Sequence, residues 1–453
     1  MSASRNYKSD VVIMGAGVAG LSAGVLLAQA GLRVVCVDPE PFPRERVGES
    51  LDWSAPSLLT ELGLPREKLV AVGVGTNKRE VRALIATGKL HYGRPPQWLH
   101  RWPLRFEPLT LHLDRQRFDQ CLYERAQSVG VAFVWDQISG IEFDNDRIVG
   151  CRTRSGQRFA ASWFIDASGR RRLTARSAGV ESQEWRPPRM AIWSQHDAVP
   201  AFAGTMLHLD TGSFDLDWVW EIPIAEDRQS VGVVMALSRF QTLRRTGKST
   251  VEVFMDELAR FPGVQSIPAG CLGTVRTRSY RPYVSTRVTG ANWMMIGEAA
   301  AFVDPLTSIG VTSALRHASE AARLIIDHAR SPAGVRAALR DYDRRIREVA
   351  GLYNLGINSL LYRPLLRQTV GFRWASSAYV ILGYGTNSLY TRLKPTTRPR
   401  MLALGVLLRA FRLWVRAWLA LARIAPTRTT DGTLSGSQTP NDQSPTRTIK
   451  YGR

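Results

Sequence analysis

Residues 11–20 read VVIMGAGVAG, and this stretch decides the fold. Val11, Val12, Ile13 and Met14 form an unbroken apolar run, the pattern of a strand buried on both faces of a parallel sheet. Gly15, Gly17 and Gly20 then spell G-x-G-x-x-G where that strand turns into a helix, with Ala16 and Ala19 between them. The first glycine permits the tight turn and the second lets a pyrophosphate approach the backbone. The third lets helix and strand pack closely, so that the helix N-terminus faces the phosphates. A second apolar strand over 33–37 ends in Asp38, eighteen residues past Gly20, where a carboxylate can accept hydrogen bonds from a ribose. Strand, glycine loop, helix, strand and acid together specify a dinucleotide-binding α/β unit.

Composition bounds the rest. A chain of 453 residues is long enough for two domains with substantial cores. Its net charge is +21, carried by 53 arginines and only seven lysines. An arginine-rich coding bias accounts for this, and so does an acidic partner such as a carrier protein, or an anionic membrane surface. No helix-turn-helix, zinc-finger or RNA-binding signature accompanies the charge, so nucleic acid is not expected. Cys36, Cys121, Cys151 and Cys271 are scattered without metal-ligand spacing, which predicts no metal site, no disulfide framework and a reducing compartment. The polar start MSASRNYKSD runs straight into the first strand, so no signal peptide and a cytoplasmic location are expected.

The segment RERVGESL, with Arg46 and Glu49, resembles the loop after the second strand in flavin-dependent halogenases of the glutathione-reductase-like flavoprotein superfamily. In that family the glycine loop holds FAD. G-T-N-K at 75–78 is similar to the segment carrying the halogenases' essential lysine, with Asn77 in place of an aromatic residue; from the strand pattern alone, Lys78 is a solvated residue. After Asp114, an N-cap residue, Arg115, Phe118 and Leu122 resemble the helix whose arginine contacts the FAD phosphates. D-A-S-G at 166–169 is similar to the superfamily's second adenosine-side segment. D-W-V-W-E-I-P at 217–223 places Trp218 and Trp220 on one side of a strand. In the family this W-x-W-x-I-P separates flavin from substrate; without it the pair reads as two core tryptophans. G-E-A-A, with Glu298 for the usual aspartate, resembles the ribityl-binding segment. Phe302, Pro305, Ser308 and Gly310 complete F-x-x-P-x-x-S-x-G, whose amides at Ile309 and Gly310 are implied to hold halide. Thr307 stands where tryptophan halogenases carry a glutamate, which turns the expectation toward phenol- or pyrrole-type substrates.

The expected architecture is α/β: a Rossmann-like FAD-binding domain interleaved with a β-rich substrate domain, plus a helical C-terminal region. FAD-binding segments fall at 8–80, 111–180 and 288–330; substrate-domain segments at 81–110, with Trp98 and Trp102, and at 181–287. Residues 331–425 are expected to be helical and 426–453 to form a disordered tail. Within 401–425, Arg409, Arg412, Arg416 and Arg423 share one face, opposite Phe411, Trp414 and Trp418. Four arginines argue against a spanning helix; packing on the chain's own domain or peripheral membrane contact fits better. The resemblance implies that reduced FAD, O2 and chloride or bromide yield hypohalous acid, which passes Trp218 and Trp220 to Lys78 and attacks an electron-rich ring. The substrate is a small aromatic, free or carrier-tethered. No second dinucleotide fingerprint follows, so a separate flavin reductase is the expected partner. The same superfamily also contains FAD-dependent monooxygenases and dehydrogenases without halide chemistry, and a non-catalytic membrane flavoprotein is the further alternative.

Overall fold

The computed structural model describes residues 6–85, 90–93, 109–212, 215–268, 270–330, 333–358 and 362, with exposed helical positions at 406, 409–410, 413, 416–417 and 420. Trp98, Trp102 and the tail at 426–453 lie outside the described residues, as does most of 401–425. Among the described residues no helix is long and apolar enough to cross a membrane.

The apolar run at 11–14 is the centre of a seven-stranded sheet. Its strand, Asn6–Met14, lies between the parallel strands Val34–Asp38 and Arg158–Asp166, and Ala132–Trp135 extends the sheet beyond Val34–Asp38. On the other side, Trp293–Met295 runs parallel to the end of Arg158–Asp166. Val11, Val12, Ile13 and Met14 are wholly buried, as the unbroken apolar pattern requires. Helix Val18–Gln29 packs over the sheet beside helices Arg115–Ser128 and Gly310–Arg330. Asp114 caps Arg115–Ser128 by accepting from the amides of Gln116 and Arg117, and Phe118 and Leu122 are fully buried.

A second seven-stranded sheet holds Val81–Ile85, Leu90–Gly93, Arg189–Asp197, Thr205–Leu209, Trp218–Pro223, Arg228–Ala236 and Arg276–Tyr280. Period-two burial divides its strands between two apolar clusters. Trp218, Trp220 and Ile222 face one, with Leu306 and Ile309; Val219 faces the other, with Val253 and Phe254. The second cluster is covered by helices Leu237–Arg245 and Thr250–Ala259, which interrupt the otherwise β-rich segment expected there. Helix Val335–Gly356 contributes Leu352 and Tyr353 to the tryptophan face.

Candidate functional site

The glycine loop sorts its three glycines by what surrounds them. Gly15 has φ +114°, and a Cβ there would lie 2.4 Å from the Ala167 carbonyl oxygen; at Gly20 it would lie 1.9 Å from that of Gly15. At Gly17 a Cβ would meet nothing within 4 Å, so the loop is closed toward the protein and open where a pyrophosphate would approach. Helix Val18–Gln29 has no acid in its first turn to neutralise its dipole. The amide of Ala16 donates to Asp38 Oδ2 at 2.6 Å, so the acid that ends the second strand also fixes the loop. Arg44, buried and stacked 4.2 Å over Phe42, pairs with Asp38 at 2.9 Å. Arg46, the arginine singled out from sequence, points outward and pairs with Glu40.

Three further segments converge on this loop. Gly297 has φ +58°, and its Cβ position lies 3.0 Å from Ala19 Cβ, which sets the following Glu298 beside helix Val18–Gln29. Glu298 is exposed along its side chain, yet its carboxyl is hemmed in by protein atoms. Desolvation raises its pKa against the opposing pull of Arg170 and Arg115. Arg115 forks over Asp119 with two contacts of 2.9 Å and donates to the Val47 carbonyl at 2.9 Å. It therefore anchors the V-G-E loop, and a Cβ on Gly48 would lie 3.0 Å from its guanidinium. Pro305 opens a tight turn, Pro305–Thr307, capped by Asp304; Ser308 is left-handed at φ +55°, Ile309 is buried, and Gly310 begins helix Gly310–Arg330. This helix also starts without an acid, and a Cβ on Gly310 would meet nothing within 4 Å. An open glycine, two acid-free helix N-termini and the Glu298 carboxylate beside helix Val18–Gln29 fit an adenine dinucleotide bearing a flavin.

Lys78 is not the solvated strand residue that its surroundings in sequence suggest. It ends strand Gly75–Lys78, is 0 % exposed, and donates from Nζ to the Leu51 carbonyl at 2.7 Å and to Ser50 Oγ at 2.8 Å. The Trp53 ring lies 5.0 Å from Nζ. Burial, opposed by the nearby Asp52, lowers the pKa of this amine to about 7. Thr76, two residues earlier, donates to the Pro223 carbonyl at 2.8 Å, so the lysine strand abuts the end of the tryptophan strand. Trp218 and Trp220 are buried with ring centroids 5.7 Å apart. The Trp220 indole donates to Ser230 Oγ at 3.2 Å, and Ser230 donates to Glu49 Oε1 at 3.1 Å. Glu49 also accepts from Gln195 at 3.3 Å, and burial raises its pKa. Glu49 thus faces the indole side of the site, while its neighbour Ser50 holds Lys78. A cavity beside Gln195 is lined by Glu45, Arg46, Gln116, Trp193 and Arg276.

Sequence reading passed over Ser50, Asp52, His112, Thr205 and Ser230. Ser50 lies inside the quoted RERVGESL, one residue beyond Glu49. His112 and Thr205 are distant in sequence and carry no periodic or motif signal; only the strand pairing brings them to Lys78.

A match to the family described as tryptophan halogenase covers residues 97–354, and a match to an FAD binding domain covers residues 10–55. Tryptophan 2-halogenase of Chondromyces crocatus is 30% identical over 333 residues, spanning 69% of this chain and 60% of that one. The 1H-pyrrole-2-carbonyl (peptidyl-carrier protein) chlorinase of Pseudomonas fluorescens is 27% identical over 381 residues, spanning 76% of this chain and 81% of that one. Among solved structures, CmlS, a flavin-dependent halogenase, superposes with a TM-score of 0.70 at 25% identity, over 91% of this chain and 78% of that one. The chain spans less than two thirds of the length of the Chondromyces crocatus protein.

Proposed function

We propose that this chain, which belongs to the tryptophan halogenase family, halogenates an electron-rich ring of phenol or pyrrole type, presented on a carrier protein. The observation that carries this reading is a wholly buried amine, Lys78, at the edge of a tryptophan face that packs on Leu306 and Ile309. Similarity to an enzyme named for a carrier-bound pyrrole supports the tethered substrate, and so does a net charge of +21 opposite an acidic carrier.

The residues that would hold FAD are Gly15, Ala16, Gly17, Ala19 and Gly20 at the pyrophosphate, Asp38 with Arg44 at the adenosine end, and Glu298, Pro305 and Gly310 around the flavin. When bound in its reduced form, FAD supplies with O2 the two-electron oxidation that converts halide to hypohalous acid. The backbone amides of Ile309 and Gly310 would hold the halide at the start of an acid-free helix. Trp218 and Trp220 keep water and the organic substrate apart from the flavin side. The Lys78 ammonium then donates a hydrogen bond to the hydroxyl of HOX. As the ring carbon takes the halogen, that hydroxyl takes the lysine's proton and leaves as water, and the ring's displaced proton restores the ammonium. A pKa of about 7 lets the amine hold and release that proton near neutral pH. A separate flavin reductase supplies the reduced cofactor.

The test is incubation of the protein with reduced FAD, O2, bromide and a pyrrole-2-carbonyl thioester on a carrier protein, read by mass spectrometry. Bromine in the ring supports the proposal. A product gaining only oxygen, or losing only two hydrogens, would make this chain a monooxygenase or dehydrogenase of the same superfamily.

A further inference from the structure

The amine of Lys78 heads a chain of buried side chains. Ser50 Oγ, which accepts from Lys78 Nζ at 2.8 Å, lies 3.0 Å from Thr205 Oγ1, and Thr205 Oγ1 lies 2.9 Å from His112 Nε2. Lys78 and His112 are 0 % exposed, Thr205 1 % and Ser50 5 %. Three separate pairings assemble the chain. Strand Gly75–Lys78 pairs antiparallel with Thr110–Leu113, putting Lys78 and His112 on one side of the ribbon. Ser50 bridges to His112 through the backbone, and Thr205 opens the strand Thr205–Leu209 of the substrate sheet. At the far end, His112 Nδ1 is buried with no hydrogen-bond partner among the described residues.

A hydroxyl has one proton to give, so two hydroxyls in series pass hydrogen bonds in one direction or the other. While Lys78 is an ammonium, Ser50 must accept from it and is left to donate to Thr205. Thr205 then donates to His112 Nε2, which requires the neutral imidazole with its proton on Nδ1. Burial and the charge of Lys78 both keep His112 neutral. If Nε2 instead carried the proton, this run would lose its terminal acceptor: either a buried hydroxyl hydrogen of Thr205 or Ser50 is left without an acceptor, or the run reverses and Ser50 presents its hydrogen to Nζ, which only the uncharged amine can accept.

We propose that His112 is a positioning residue for Lys78: by accepting at Nε2 it directs the hydroxyls of Thr205 and Ser50 so that the lysine is held as a proton donor. This rests on the reading of Lys78 as the directing amine. The other groups acting on Lys78 are the Leu51 carbonyl, which accepts from Nζ at 2.7 Å, the Asp52 carboxylate, which favours the ammonium, and the Trp53 ring. Glu49, although adjacent to Ser50, is turned to Ser230 and Gln195.

The experiment is 15N NMR of the full chain labelled in lysine and histidine, practical because it holds seven of each. The Lys78 Nζ signal, assigned by its loss in Lys78→Met, is titrated in the wild type, His112→Leu and His112→Gln. Leucine removes the acceptor and should lower the midpoint by about one pH unit. Glutamine returns an acceptor oxygen and should restore the midpoint to within about 0.3 pH unit. Thr205→Val breaks the chain one link earlier and should reproduce the leucine result, which covers a His112→Leu protein that does not fold. The wild-type His112 signals should report the Nδ1–H tautomer wherever Lys78 is charged. Equal midpoints in all variants, or an Nε2–H tautomer beside charged Lys78, overturn the proposal. Ring halogenation by Lys78→Met would instead overturn the reading of Lys78 and leave the titration result standing.

Discussion

Lys78 concentrates the residue-scale chemistry. Folding carries its amine from water, where its ordinary value is 10.5, into a site where it titrates at about 7. Between those values the unfolded chain binds a proton that the native protein does not, so this group's contribution to stability rises with pH. Below pH 7 both states are protonated and the full cost of the buried charge is felt. Lys78→Met removes the titration while keeping the length of the side chain. The unfolding free energy of wild type relative to Lys78→Met should therefore climb by about 2 kcal/mol from pH 7 to pH 9 and flatten below pH 6. Denaturant titrations of both proteins across that range measure it; a difference independent of pH would mean that the amine is solvated. None of this was legible in G-T-N-K. The motif pointed to the lysine, but its burial depends on Leu51, Trp53 and His112, which reach it through strand pairing and a loop that the sequence does not advertise.

Among the elements, strand Trp218–Pro223 gives the clearest case of a legible pattern with an illegible consequence. Alternation predicted that both indoles share a face, and they do. What the alternation could not disclose is how the Trp220 ring is seated. Its neighbour across the antiparallel pair is Gly232, and a Cβ there would lie 2.2 Å from Trp220 Cζ2 and 2.7 Å from Trp193 Cβ. Gly232→Ala should therefore push the Trp220 ring off its place and cost about 1–3 kcal/mol of stability. More of the hypobromite should then escape to a soluble trap instead of reaching the ring substrate. A ratio of trapped to ring-bound bromine equal to the wild type's would show that the indole does not wall the passage. Helices Leu237–Arg245 and Thr250–Ala259 went unread within the β-rich segment. The second carried a readable start, Ser249 with Glu252 three residues on, and the structure forms that capping box. The aromatic and β-branched residues on either side outweighed it.

For the molecule as a whole, the chain passes repeatedly between two sheets, and the lysine strand abuts the end of the tryptophan strand in the second. The first sheet was legible because its glycine loop and apolar runs have a backbone reason to look as they do: Gly15 and Gly20 sit where no side chain fits. The second sheet was legible only as a β-rich stretch, since alternating strands carry no mark of their pairing order. Assembly of Lys78, Ser50, Thr205 and His112 from four segments of the chain is a property of the closed fold, and no local window contains it. The central claim is that the oxidant is made at the flavin and used at Lys78, at the edge of the tryptophan face. Its most direct test compares wild type with Lys78→Met under reduced FAD, O2 and bromide, counting trapped hypobromite and ring-bound bromine in the same reaction. The account predicts hypobromite within about twofold of the wild type and ring-bound bromine down by at least ~100-fold. Loss of both together, or retention of both, would contradict it.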